Sequence, residues 1–236
     1  MDQYKCVISI GMRCFTEIYL KNMGLKKFSC VFDAMYCNNI NNIINILENG
    51  FNYNDFIYTE NINYLINLNN IYGYRTMHRY INYNNENLEY SYHNALLPHH
   101  NLNNIKDKTH FERCFERLKK IKNHNIKTLF CLFIHPDYDK HINNLFDIDY
   151  NNNEINKLRD YLVQNFNCKL LICKFKTTND NYKWKIIYNE NNLLFIHINN
   201  SSHIFDNNKS ELNEIFGHLY VDKLQLLSYD DLNHLQ

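Results

Sequence analysis

No stretch of this chain approaches the ~18–20 consecutive apolar residues that a membrane span needs. The opening Met1-Asp2-Gln3-Tyr4-Lys5 also lacks the apolar region of a secretory signal. Charge of one sign does not predominate: Lys plus Arg and Asp plus Glu are both 25, so the formal net charge is zero. That disfavours a nucleic-acid binder relying on bulk positive charge. Eight cysteines are present (6, 14, 30, 37, 114, 131, 168 and 173), yet none form a CxxC pair and they follow no framework spacing. A structural zinc site and a disulfide scaffold are both left without support. Scattered thiols behind no secretory signal are those expected of a reduced, cytoplasmic protein.

Glycine (5) and proline (2) are scarce too, while asparagine, isoleucine, tyrosine and lysine abound. The codons of these four are mostly A and T, so the bias points to an AT-rich genome. A large DNA virus or an intracellular parasite fits, with the host cytoplasm as the compartment in the viral case. Runs such as Asn151–Asn153 and Asn191-Asn192 then mark turns and tolerant surface. A length of 236 residues suits one α/β domain, 1–236, with a hairpin-containing insertion at about 51–105, of which the aromatic stretch Phe51–Leu68 is assigned no structure.

The chain is organised around Lys5–Asp33. Cys6-Val7-Ile8-Ser9-Ile10 is a short apolar, β-branched run that reads as a buried strand, and Gly11 breaks it as a tight turn needs. From Arg13 the period changes: Phe15, Ile18, Tyr19 and Met23 fall at helical spacing, with Gly24 where a C-cap belongs. Cys14 therefore lies in the first turn of a helix fed directly by a strand. Free backbone amides, the positive end of the helix dipole and the charge of Arg13 would lower its thiol pKa. The same amides could hold a developing oxyanion. The competing reading makes Cys14 a small apolar plug between helix and sheet.

Further on, Lys26–Cys37 reads as an extended loop carrying Phe28, Val31 and Phe32 inward. Asp33, in this apolar setting, reads as a helix N-cap or a loop tie. Helices are predicted over 39–49, 108–124, 154–166 and 210–216, and strands over 128–134, 169–175, 184–188 and 193–198. On the 108–124 helix, Phe111, Cys114, Phe115, Leu118 and Ile121 form the apolar stripe, and Arg113, Glu116, Arg117, Lys119 and Lys120 the wet face. Tyr74–Ile81 and Asn87–Tyr92 look like a hairpin turned at Asn84-Asn85. The alternation from Lys108 to Phe175 signals a parallel sheet with crossover helices. His93, His99 and His100 lie close in sequence but on a strand end and a Pro-led loop, a poor metal site.

In open parallel sheets ligands bind beyond the carboxyl ends of the strands. Cys14 follows the first strand there, and His203 follows the last if the strands are parallel. A thiol at a helix start and an imidazole on a post-strand loop are the two parts of a nucleophilic pair. Asp206 or Asn200 could orient the ring, and His93 and His218 are competing bases.

These residues also carry a resemblance. Val7–Cys37, above all Ile8-Ser9-Ile10-Gly11 with Cys14 three residues on and then LKNMGLKKFSCVFDAMYC, is similar to the N-terminal signature of a family of unknown-function domains labelled papain-like cysteine peptidases. Tyr92-His93-Asn94, the 108–134 helix and strand, and Ile198–His203 resemble later landmarks of the same family. The resemblance implies Cys14 as nucleophile, His93 or His203 as base and Asp33 as a site-shaping carboxylate. Gly11, Arg13 and Ser29 fall on the substrate or oxyanion side. The chain departs from the pattern at Val31, Ala34, Asn94 and Asp206, and it lacks the arginine of the family's strand.

The strand–turn–Cys–helix order differs from papain, where the Cys helix is not fed by a core strand. It is closer to an SGNH-type sheet with Cys in place of Ser. The expected fold is therefore a three-layer Rossmann-like α/β domain (SGNH- or flavodoxin-like) with a mostly parallel sheet and a small hairpin insertion; a papain-like α+β fold is the alternative. The expected function is a cysteine-dependent hydrolase, a peptidase or acyl hydrolase/transferase, acting on a protein, peptide or acylated small molecule. No metal, cofactor, nucleic acid or membrane is called for. The other reading is a catalytically inactive binding or effector protein on the same fold, for which 19 tyrosines would suit an interface.

Overall fold

The computed structural model describes residues 3–10, 14–33, 40–50, 56–59, 79–82, 105–134, 149–176, 181–199 and 209–235; for Cys14, Asn42, 56–59 and 79–82 the description is of backbone. Seven strands are present among them: β1 (Cys6–Ser9), β2 (Phe56–Thr59), β3 (Arg79–Asn82), β4 (Thr128–Ile134), β5 (Cys168–Lys176), β6 (Trp184–Glu190) and β7 (Leu193–Asn199). The helices are α1 (Cys14–Asn22), α2 (Ile40–Asn49), α3 (Ile105–Asn123), α4 (Asn153–Asn165), α5 (Lys209–His218) and α6 (Tyr229–His234).

Five strands form one sheet in the order β1-β4-β5-β7-β6. The first four are parallel, and β6 pairs antiparallel with β7 at one edge. The continuous apolar runs explain the parallel pairing, since a strand covered on both faces has no reason to alternate with polar residues. All seven residues of β4 are buried. Leu129, Cys131 and Phe133 face one side, with α1 and α5; Phe130, Leu132 and Ile134 face the other, with α2, α3, α4 and α6. Each large side chain so buried contributes roughly 1.5–3 kcal/mol against solvent exposure. The architecture is thus mixed α/β, a mostly parallel sheet with helices on both faces. A flavodoxin-like order would put another strand outside β1; among the described residues β1 is an edge, and the parallel strands follow one another without doubling back.

Asparagine serves the turns. Asn191 and Asn192, at φ 49° and 60°, close the two-residue β6–β7 hairpin, the left-handed pair that a type I′ turn requires. Gly24 and Gly50, at φ 71° and 69°, terminate α1 and α2.

The predicted hairpin falls only in part on described residues. β3 falls at the end of the expected Tyr74–Ile81 strand, but its partner is β2, within an aromatic stretch assigned no structure from sequence. Asn87–Tyr92 lies outside the described residues. The register sets Ile57 opposite Ile81 and Tyr58 opposite Tyr80. No described helix is long and apolar enough to cross a membrane.

Candidate functional site

The parallel strands all end on one edge of the sheet, and α1 begins there. β1 stops after Ser9, whose partner on β4 is Cys131. Two residues further along β4, the Phe133 amide has lost its strand neighbour and donates instead to the Thr16 hydroxyl at 3.0 Å. Thr16 is fully buried in the first turn of α1, so this bond pins the start of the helix to the end of β4. Aromatic packing fixes its direction: Phe15 meets Phe175 of β5 edge-on at 5.8 Å, and Tyr19 stacks on Phe175 at 5.7 Å. The first turn of α1 is therefore held at the carboxyl end of β4, with Phe15 and Tyr19 reaching across to Phe175 of β5. Cys14 is the first residue of that helix. Its side chain, and Gly11 and Arg13, lie outside the described residues.

The loop after α1 is tied by charge. Lys26 Nζ is 2.8 Å from Asp33 Oδ2 and 2.5 Å from Glu17 Oε1, linking α1 to the loop's far end. Asp33 Oδ2 also accepts from the Cys30 amide at 2.5 Å. Burial pushes the Asp33 carboxyl up to about 6, against the pull of Lys26 and the Cys30 amide. Burial disfavours the Lys26 ammonium, but Asp33 and Glu17 outweigh it and hold its pKa above the usual lysine value. Asp33 is thus a loop tie, one of the two structural roles expected of it. Ser29, half-buried, gives its carbonyl oxygen to Arg117 Nη1 at 2.7 Å.

That contact corrects one expectation. Arg117 is not on the wet face of α3: it is 8% exposed, also donates to Cys114 Sγ at 3.5 Å, and lies over the Tyr229 ring of α6 at 4.6 Å. Position 117 falls three residues past Cys114 and four before Ile121, on the border of the buried stripe, where a long side chain can turn inward to reach a carbonyl.

Six of the eight cysteines have described side chains, and burial raises the pKa of each. Cys6 and Cys168 are pushed up to about 12 and Cys114 to about 11, while Cys30, Cys131 and Cys173 stand well above the ordinary range. None is a thiolate near neutral pH. Sequence reasoning missed one thiol–imidazole neighbour, Cys114 Sγ and His110 Nε2 at 3.7 Å, which four-residue helical spacing could have flagged. Its raised thiol pKa makes it a packing contact and not a nucleophilic pair. Only Cys14 and Cys37 remain, and the side chains of both lie outside the described residues.

Of the candidate bases, His93 and His203 lie outside the described residues, as do Asn200 and Asp206. β7 does run parallel to β5, so the chain leaves Asn199 on the same edge as the start of α1, four residues before His203. His218 is exposed at the end of α5 beside Trp184, on the far side of β7 from Phe175. Among the described residues no three His, Cys, Asp or Glu side chains are grouped to hold a metal ion. His99 and His100 fall outside them.

Residues 5–148 match a family described as "putative papain-like cysteine peptidase (DUF1796)". No curated protein and no solved structure matches the chain.

Proposed function

The chain belongs to that papain-like cysteine peptidase family, and from this premise we propose that it is a cysteine-dependent hydrolase or acyl transferase with Cys14 as nucleophile. The observation that carries the reading is the place of Cys14 in the backbone. It opens a helix whose first turn is pinned by Thr16 to the carboxyl edge of the sheet, while burial, complete or partial, raises the pKa of all six described thiols.

In this mechanism the Cys14 sulfur attacks a substrate carbonyl as a histidine takes its proton. The oxyanion is held by backbone amides of the first turn of α1, where the helix dipole also favours negative charge. The imidazolium then protonates the leaving group as the carbonyl re-forms, and water, deprotonated by the same ring, releases the acyl group and regenerates the thiol. His203 is the favoured base. The end of β7 is two strand spacings, ~10 Å, from the end of β4 that Thr16 holds, and the four residues from Asn199 to His203 span up to ~14 Å. His93 is the alternative. Gly11 and Arg13 are assigned to the oxyanion side, and Asp33 with Ser29 shapes the loop that follows α1. A nucleophile on a helix fed by a core strand is the arrangement of an SGNH-type hydrolase with Cys for Ser. The substrates this chemistry fits are a peptide, a protein or an acylated small molecule.

Incubation with an activated acyl ester, followed by peptide mass spectrometry, tests the assignment. An acyl adduct on Cys14 that is lost in Cys14→Ala and slowed in His203→Ala supports it. Acylation that survives Cys14→Ala, or no adduct on Cys14, contradicts it and leaves a binding protein on this scaffold.

A further inference from the structure

The chain reverses at Gly24 after α1, and the amides of Leu25 and Lys26 both donate to the Leu20 carbonyl, at 2.9 and 3.2 Å. Leu25, buried among the residues of α1, anchors this turn, so that Lys26 reaches Glu17, nine residues earlier. Glu17 stands in the first turn of α1, three residues after Cys14. Positions three apart on a helix are surface neighbours, their Cβ atoms ~5–6 Å apart. A carboxylate there suits the helix, because the first turn favours negative charge. It opposes a thiolate at Cys14 for the same reason: two negative charges share one helix end, and each disfavours the ionised form of the other. Lys26 removes this conflict. Its Nζ is 2.5 Å from Glu17 Oε1 and 2.8 Å from Asp33 Oδ2, and all three side chains are largely buried, so solvent and salt screen the pairing little. Cys30 and Cys114 also face Asp33, but burial keeps both thiols protonated near neutral pH, and Arg117 beside Cys114 is turned to the Ser29 carbonyl. The charges that count are therefore two carboxylates and one ammonium.

We propose that Lys26 is a positioning residue for the nucleophile: it cancels the Glu17 carboxylate one helical turn from Cys14 and ties that turn to the far end of the following loop at Asp33. The inference rests on the reading of Cys14 as nucleophile and adds what permits a thiolate beside an acidic first turn. Lys26 acts through Glu17, so the sign of its effect is fixed. Taking away the ammonium leaves Glu17 uncompensated and disfavours the thiolate; taking away the Glu17 charge favours it. Loosening of the loop alone has no such sign, since either substitution breaks the same Glu17–Lys26 pair.

The test is the pH midpoint of Cys14 alkylation by iodoacetamide, read by peptide mass spectrometry on the full chain in the native protein, Glu17→Gln, Lys26→Met and the double variant. Glu17→Gln lowers the midpoint by about one pH unit and Lys26→Met raises it by about as much, the usual size for a charge gained or lost within ~6 Å of a titrating group. At a fixed pH below the midpoint, each change is about tenfold in alkylation rate, in opposite directions. Lys26→Met/Glu17→Gln undoes the rise caused by Lys26→Met, since the carboxylate that Lys26 cancels is gone. Glu17→Gln, which leaves the Lys26–Asp33 pair in place, carries the test by itself where Lys26→Met does not fold. A low native midpoint that Glu17→Gln and Lys26→Met leave in place, or shift in the same direction, overturns this inference alone. A native midpoint at or above ~8.5 removes the nucleophile, and the inference with it.

Discussion

Replacing Lys26 with methionine removes the one ammonium shared by Glu17 and Asp33, whose side chains are 14% and 9% exposed. The methionine keeps most of the aliphatic stem, so the loss is chiefly of charge. Leaving a buried ionic partner unpaired costs about 3–5 kcal/mol, far above the ~0–1 kcal/mol of a solvated surface pair. The cost must depend on pH in a definite direction. Burial already raises Asp33 from 3.8 to about 6. A carboxyl raised on folding contributes stability that is full below its unfolded pKa and disappears as pH climbs through its folded one. That interval amounts to about 3 kcal/mol between pH 4 and pH 6 in the native chain. Without Lys26 the folded carboxyl rises further, so the decline continues above pH 6. Urea denaturation followed by far-UV circular dichroism at pH 5 and pH 8 reads this directly. Lys26→Met is expected to lose about 3–5 kcal/mol at pH 8 and less than about half of that at pH 5, with Lys26→Met/Asp33→Asn recovering much of the loss at pH 8. Equal losses at both pH values, or losses under ~1 kcal/mol, would refute a buried, charge-shared tie.

Thr16→Val keeps the shape of a fully buried residue but orphans the Phe133 amide. It is expected to cost about 1–3 kcal/mol and to accelerate hydrogen exchange at Phe133. Phe175→Ala removes the ring on which both Phe15 and Tyr19 rest and is expected to cost about 3–5 kcal/mol by urea denaturation. The thiols of Cys6, Cys30, Cys114, Cys131, Cys168 and Cys173 are expected to resist iodoacetamide in the native state and to react once urea unfolds the chain, as peptide mass spectrometry would show.

Much of the scaffold was legible because its signals are local. Cys6–Ile10 and Thr128–Ile134 are continuous apolar runs too short for helices, and both are buried parallel strands. Gly24 and Gly50 end α1 and α2 where the apolar period stops. What escaped depends on groups distant in sequence. Arg117 reads as one more cation on a basic helix, and only the docked Ser29 carbonyl and Tyr229 ring give it a reason to turn inward. β2 escaped because its partner lies twenty residues away. For the site, sequence located the start of α1 at a strand end. The hold of that start on the end of β4 is set by Thr16 and Phe175, whose partners no local pattern reveals.

The most direct test of the central claim is the rate of Cys14 alkylation by iodoacetamide as a function of pH, read by peptide mass spectrometry on the native chain. A thiol activated at the start of α1 gives a midpoint well below the ~8.5 of an ordinary cysteine, and His203→Ala moves that midpoint upward. A midpoint at or above ~8.5, unchanged by His203→Ala, contradicts Cys14 as the nucleophile.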